Sequence, residues 1–596
     1  MKRSLMFIIV LSLFVTAAPA SPGPKPTPWQ HDAGISSDHL SPAMRVSTRL
    51  VLVDVSVTDK AGKHVKNLAA SDFKILEDGK AQRVTLFSAE QPQASPAPAS
   101  PIPSLPPNVC TNRPEYAMPP GGLTILLLDT LNTRAQDQGY VRTRMLHFLD
   151  TQLAAHDRIA VFRLGQSLRE LQDFTDDPEL LRDAVKEFTP EKPGQLDVEA
   201  VEKRLPHPHE SGGTSAQTAQ RLMTMLTQLR EFYSEQANFA LDERVQKTMA
   251  AFRILARAVG GHPGRKNLIW VSAAFPLTSA HKVVQYKADL SDPNRTEAIS
   301  EIDLQHSYIA DFHRTVALLA DAQVAVYSVD ARGLVGSMVS DAEDSGANEM
   351  SQFKTGAEYG EEISKQSAAL IDSQATMTQF AAETGGRVYK NRNDIDHAVG
   401  LSIRDGAAYY SLGYYPQDKH WNGKFRKIQV QVDRPGLEIH YRHGYYAAPL
   451  ETNSQQAEQT ADIASALAPA SPEATLVVFD AKVSPPVQSA KMQVPVEFLV
   501  DVSTLSAAED KDGKREYTVE FHAAAFAADG KIAAHQDIKF KAAIKQQDYA
   551  AMRKQGLPFH TELELPPGRY QIRLAVRDDR TGFLGTTGMP LLLNSN

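Results

Sequence analysis

Residues 123–128 form an apolar run, with Thr124 as its one polar position, that ends at Asp129. That is the pattern of a parallel strand covered on both faces. Further mostly apolar stretches, read as strands, follow at 158–164, 267–272 and 324–330, and among the strands lie stretches with apolar positions at helical spacing, 140–153 and 308–320. Asp177-Pro178 supplies an N-cap and first-turn pair for a helix through Val185. A last unit is read as a helix at 377–383, a Gly385-Gly386 stop and a strand at 387–390. This alternation predicts a doubly wound α/β domain over 121–392. Two stretches exceed what its sheet requires. A helical insertion at 190–260 holds a predicted helical hairpin at 217–259, and a second helical insertion, polar in composition, occupies 336–373.

On either side of that domain the period changes from helical to two. Val51, Val53, Val55 and Val57 alternate with other residues, and Asp78-Gly79 closes a second short strand. This unit, 45–90, buries too little surface to stand alone. Residues 405–447 read as three more alternating strands with turns at Asn422-Gly423 and Pro435-Gly436. The two segments are expected to pair into one sandwich, with the α/β domain inserted between them and the Pro-rich stretch 91–120 as the outgoing linker. A polar, Ala-rich linker, 451–472, then leads to 473–596, where alternation predicts an antiparallel sandwich with immunoglobulin-like strand spacing.

Composition narrows the function classes. The chain has 596 residues, 42% hydrophobic and 22% charged, so several cores are needed. A formal charge of -8 gives no basic field to attract phosphate backbones, and no nucleic-acid partner is expected. The single cysteine, Cys110, forbids an internal disulfide and falls in the expected linker, where its thiol would be idle or intermolecular. Lys2 and Arg3 precede an apolar run at 5–14, and Ala18-Pro19-Ala20 offers a cleavage site after Ala20. Residues 1–20 are thus read as a signal peptide and 21–44 as a disordered N-terminal segment. The mature chain, with no transmembrane segment, is expected in the periplasm or outside the cell.

Taken as a set, several motifs resemble the bacterial VWFA-related family, exported proteins with a von Willebrand factor type A-like domain. They are the Ile125–Thr133 segment, Phe174-Thr175-Asp176-Asp177, Val329-Asp330-Ala331-Arg332-Gly333, Gly385-Gly386-Arg387 and Tyr410-Ser411-Leu412-Gly413-Tyr414. The resemblance runs from about Arg49 to Tyr446 and leaves out the C-terminal sandwich. It implies a divalent cation, Mg²⁺ or Mn²⁺, at the carboxyl edge of the sheet, held by oxygen ligands. Asp129 matches the first Asp of that motif, Thr133 its last hydroxyl, and Thr175 offers the loop Thr. Leu131 stands where the middle Ser is expected, and Ala273-Ala274 follows Ser272 where a later Asp is expected. The implied site is therefore a degenerate metal-ion-dependent adhesion site. Asn132, Asp176, Ser272 and Asp330 complete a candidate partner-binding edge. The alternative assignment is structural: Asp129 bonds nearby backbone, Thr175 and Asp177 cap a helix, and Asp330 pairs with Arg332.

No GxSxG, GxxxxGK[ST], GxGxxG or HExxH spacing occurs, and Pro208 breaks any helical pairing within His207-Pro208-His209-Glu210. The expectation is an exported, non-enzymatic adhesion-type protein that binds a protein or glycan. The alternatives are a metal-free scaffolding protein of the cell envelope and an envelope hydrolase with a spatially assembled site.

Overall fold

The computed structural model describes residues 50–90, 104–117, 122–154, 157–191, 216–288, 296–334, 356–447, 456–486, 492–509 and 514–594. The expected signal peptide with Ala20, the segment 21–44 and the His207 to Glu210 motif lie outside them.

Leu123–Asp129, Lys266–Ser272 and Val324–Asp330 are buried at every position. Only a strand in the middle of a covered sheet can hide both its faces. They form the centre of a six-stranded sheet in the order Val388–Tyr389, Val324–Asp330, Lys266–Ser272, Leu123–Asp129, Arg158–Leu164, Leu168–Thr175. The first five run parallel and the last is an antiparallel edge. The chain starts in the middle and winds outward in both directions, so the order reverses between Leu123–Asp129 and Lys266–Ser272.

Strand alternation divides the core into two layers. Ile125, Leu127, Trp270 and Val326 face one side, where Val245, Phe252, Phe312 and Phe380 from helices Ala216–Val259, Ile309–Asp321 and Gly356–Thr384 cover them. Leu126, Leu128, Ile269 and Tyr327 face the other, under Met145, Phe148, Val185 and Val399 from helices Ala135–Thr151, Pro178–Glu187 and Ile395–Ala407. The indole of Trp270 meets Phe252 and Phe380 edge-on at 5.1 and 5.8 Å. Such contacts add about 0.5–1.5 kcal/mol each beyond area burial.

Two further sheets pack together beside this domain. Val51–Asp59 lies between Tyr409–Tyr414 and Leu437–His440, in a register that sets Val53 opposite Leu412, and Val84–Glu90 extends the sheet. The facing sheet sets Phe73–Glu77 between Phe425–Val432 and Lys80–Gln82, with Gly444–Tyr446 at its edge. The inward residues Val53, Val55, Ile75, Leu412 and Val430 form one core. Strands from before and after the α/β domain thus share it.

Several elements depart from the sequence reading. The stretch 217–259 is not a hairpin but a single helix, Ala216–Val259, because no Gly or Pro interrupts it. Within the insertion at 336–373, the residues that are described, 356–373, belong to helix Gly356–Thr384, which continues past the insertion to Thr384. The expected linker 451–472 contains the helix Gln456–Leu467, whose Ala-rich composition favours that state. An antiparallel hairpin, Thr278–Ala288 with Thr296–Ser307, adds two strands beyond the expected elements.

The Pro-rich linker also ends earlier than its composition suggests. Val109–Thr111 is a strand that pairs antiparallel with Phe479–Val483, so Cys110 is buried in the C-terminal sandwich and is not a linker thiol. The run is too short for its alternation to be read, and neighbouring prolines mask it. That sandwich packs the sheet Leu557–Leu565, Met492–Val500, Phe479–Val483, Val109–Thr111 against a second sheet built on Arg515–Ala527, Gly568–Asp578 and Leu584–Leu593, around Phe498, Phe521 and Val576. It borrows a strand from before the α/β domain, unlike a self-contained immunoglobulin-like module. Asn112 holds the borrowed strand in place, donating to the carbonyls of Ala474 and Val477 at 2.7 Å and accepting from the Phe479 amide.

Candidate functional site

Asp129, Ser272 and Asp330 end three adjacent strands at the carboxyl edge of the sheet, with Ser272 opposite Asp330 in register. This is the point where the strand order reverses, the place at which open α/β sheets bind ligands. All three residues are at least 97% buried, with exposures of 3%, 0% and 1%. Asn132 and Thr133, in the turn that follows Asp129, are equally hidden.

Both oxygens of Asp129 are committed to protein donors. Oδ1 accepts from the Asn132 amide at 3.0 Å, and Oδ2 accepts from Asn132 Nδ2 at 2.8 Å, Trp270 Nε1 at 2.9 Å and Ser272 Oγ at 2.7 Å. Burial pushes this carboxyl above the usual range, against the hydrogen bonds from Asn132, Ser272 and Trp270, which pull it down. The neighbouring hydroxyls and amides are committed as well. Ser272 Oγ accepts from the Ala274 amide at 2.8 Å and Thr133 Oγ1 from the Ala273 amide at 3.2 Å. From the long helix, Thr248 Oγ1 accepts from Asn132 Nδ2 at 2.9 Å, and Arg244 Nη1 donates to Asn132 Oδ1 at 3.3 Å.

These residues do not fit a divalent cation. Mg²⁺ or Mn²⁺ needs several oxygen lone pairs converging on one point. Here the lone pairs of Asp129, Ser272, Thr133 and Asn132 receive N–H or O–H donors, and the guanidinium of Arg244 adds like charge beside Asn132.

Thr175 is placed elsewhere. It pairs with Ile159, which is aligned with Thr124 at the amino end of the central strand. Thr124 precedes Asp129 by five residues, so Thr175 and the adjoining Asp176 lie about 17 Å from the carboxyl edge. The antiparallel direction of Leu168–Thr175 is the cause, because it carries this loop back to the opposite end of the sheet. Thr175 Oγ1 accepts from the Asp177 amide at 3.1 Å, and Asp177 N-caps helix Pro178–Glu187 by accepting from the Glu179 amide at 2.8 Å.

Asp330 is held by Arg332 in a two-pronged ion pair, Nε at 2.8 Å and Nη2 at 2.9 Å, and also accepts from Gln374 Nε2 at 2.9 Å. Arg332 Nη1 continues to Ser373 Oγ at 3.0 Å. Strand, turn and helix Gly356–Thr384 are thereby locked together. Three contributors escaped the sequence reading. Trp270 lies within the strand stretch 267–272, which marks core alone, while Arg244 and Thr248 carry no signal beyond sharing one face of a helix. Cys110, whose thiol burial pushes up to about 12, is chemically inert.

No helix of the described residues is long and apolar enough to cross a membrane. No family model matches this sequence, and neither does any curated protein. Among solved structures, the chain is similar to the proximal thread matrix protein 1 of the mussel byssus, at 10% identity and a TM-score of 0.21 over 48% of this chain and 48% of that one. The match therefore spans about half of the byssus protein. The vWF domain of a type V pilus tip protein from Porphyromonas gingivalis aligns at 9% identity and a TM-score of 0.23, over 48% of this chain and 96% of that one. A von Willebrand factor type A structure from Catenulispora acidiphila aligns at 8% identity and a TM-score of 0.23, over 59% of this chain and 74% of that one.

Proposed function

We propose that this chain is an exported, non-enzymatic interaction protein whose α/β domain works without a divalent cation, on a protein or glycan partner outside the cytoplasm. The observation that carries the metal-free part is the Asp129 carboxylate, enclosed and met by four protein donors. A group so committed serves as a fastening for the carboxyl edge of the sheet. Asn132, Ser272 and Asp330 are buried with it, so they shape that edge from beneath and do not touch a partner. Support for the interaction part comes from the long helix, where Met225, Phe232 and Phe239 recur every seven residues at 64%, 54% and 67% exposure. Apolar side chains that share one exposed helix face are more typical of a contact surface than of bare solvent.

The test has two arms. Thermal unfolding of the full chain with millimolar Mg²⁺ or Mn²⁺ is expected to match unfolding in chelator, since an ion that does not bind the native state adds no stability. A rise in Tm that disappears in Asp129→Ala would restore the cation. In the second arm, arrays of envelope proteins and glycans are probed in chelator. Binding that survives there and is lost in Phe232→Ser/Phe239→Ser agrees with the reading, whereas binding that requires Mg²⁺ rejects it.

A further inference from the structure

The outer face of the C-terminal sandwich carries a side-chain cluster that plays no part in the reading above. His522 on Arg515–Ala527 stands directly opposite Asp537 on the neighbouring strand Ile532–Ile544, and His535 precedes Asp537 by two residues. The two-residue period of a strand therefore puts all three side chains on one face. His522 Nδ1 is in short contact with Asp537 Oδ1, and His535 Nε2 reaches the same oxygen at 2.9 Å. One nitrogen from each imidazole and one carboxylate oxygen all lie within 4.8 Å of one another. His522 is only 7% exposed and held in a paired strand, so one ligand is already fixed, while the side chains of His535 and Asp537 are 40% and 51% exposed and open to an ion from solvent.

The surrounding charges permit a cation. Lys539, on the same face, is engaged by Glu520 at 3.3 Å and Asp579 at 2.9 Å, and Arg577 is paired with the same two carboxylates. Two imidazoles and one carboxylate are a donor set for Zn²⁺ and its neighbours in the transition series, not for Mg²⁺ or Ca²⁺, which favour oxygen. We propose that His522, His535 and Asp537 form a three-ligand surface site for a Zn²⁺-type ion, with a fourth position open to water or to a side chain of a bound partner. Coordination through His522 Nδ1 places the ring proton on Nε2, which is buried and has no hydrogen-bond partner among the described residues. That cost sets the affinity below that of a closed four-ligand zinc site.

Isothermal titration of chelator-treated full chain with zinc chloride tests this site independently of Asp129. One equivalent is expected to bind with micromolar affinity, while magnesium chloride gives no heat. His535→Ala and Asp537→Asn, both at exposed positions, are each expected to weaken binding by about ten-fold or more with an unchanged circular dichroism spectrum. The absence of zinc binding overturns the proposal. So does equal affinity in both variants, which would send the ion to other histidines, and so does weakening in one variant alone, which would break the three-ligand set.

Discussion

The indole N–H of Trp270 donates to Asp129 Oδ2 across 2.9 Å, joining the two strands on either side of the point where the sheet reverses its order. A tryptophan this deep in a core needs an acceptor for its one polar atom, and Asp129 supplies it. Replacing Asp129 by Ala would leave the Trp270 and Asn132 N–H groups and the Ser272 hydroxyl buried without that acceptor. Urea unfolding is expected to show a loss of about 3 kcal/mol, with Asp129→Asn losing less because one acceptor oxygen remains. A loss under about 1 kcal/mol in Asp129→Ala would show that the carboxylate is not a fastening.

Glu77 holds the split sandwich in a similar manner. Its carboxylate accepts from Tyr414 at 2.7 Å, Tyr445 at 2.9 Å and Arg426 at 3.2 Å, with the Glu77 and Arg426 side chains 3% and 4% exposed. Removal of one partner strands a buried charge, so Glu77→Ala and Arg426→Ala are each expected to cost about 3–5 kcal/mol. The double variant is expected to lose clearly less than their sum. Additive losses in a double-mutant cycle would mean that the two charges do not depend on each other.

Two glycines give opposite expectations. A Cβ at Gly261 would lie 2.2 Å from the carbonyl oxygen of Thr475, where the end of the long helix meets the C-terminal sandwich. Gly261→Ala must push the backbones apart, at an expected cost of about 1–3 kcal/mol. Gly139 lies within helix Ala135–Thr151, and a Cβ there would meet nothing within 4 Å. Gly139→Ala is expected to stabilise by about 0.5–1 kcal/mol through helix propensity. Differential scanning calorimetry of the pair checks both signs.

His262 gives a pH dependence. Burial, aided by the nearby Lys266 ammonium, lowers its imidazole to about 4. Between pH 6.5 and 4 the unfolded chain takes up a proton that the folded chain refuses, so stability is present at neutral pH and falls as pH drops through that window. The contribution is at most about 3 kcal/mol. Denaturation at pH 7, 6 and 5 is expected to show a shallower acid loss in His262→Gln than in wild type. Parallel profiles would place the acid sensitivity at other half-buried histidines, such as His64 and His440, which burial also lowers.

The legible parts of this protein are those in which one physical signal dominates. A strand hidden on both faces is apolar along most of its length, and for that reason Leu123–Asp129, Lys266–Ser272 and Val324–Asp330 could be read from their runs. Asp177-Pro178 was equally plain, because a cap acts over neighbouring residues. Val109–Thr111 gave no such signal, since three residues carry no period and their partner strand lies far along the chain. The Ala216–Val259 helix was legible as helix but not as one piece, because nothing local separates a long helix from two shorter ones.

The sequence by itself determined that Asp129, Ser272 and Asp330 stand at strand ends, because apolar runs stop there. Only the tertiary structure decided what those ends do. The antiparallel edge strand takes Thr175 to the far end of the sheet, and the long helix brings Arg244 and Thr248 onto Asn132, so donors surround Asp129 where oxygen ligands were expected. The reason is physical: the direction of a strand and the landing point of a helix are set by packing between distant segments, and no local pattern encodes them.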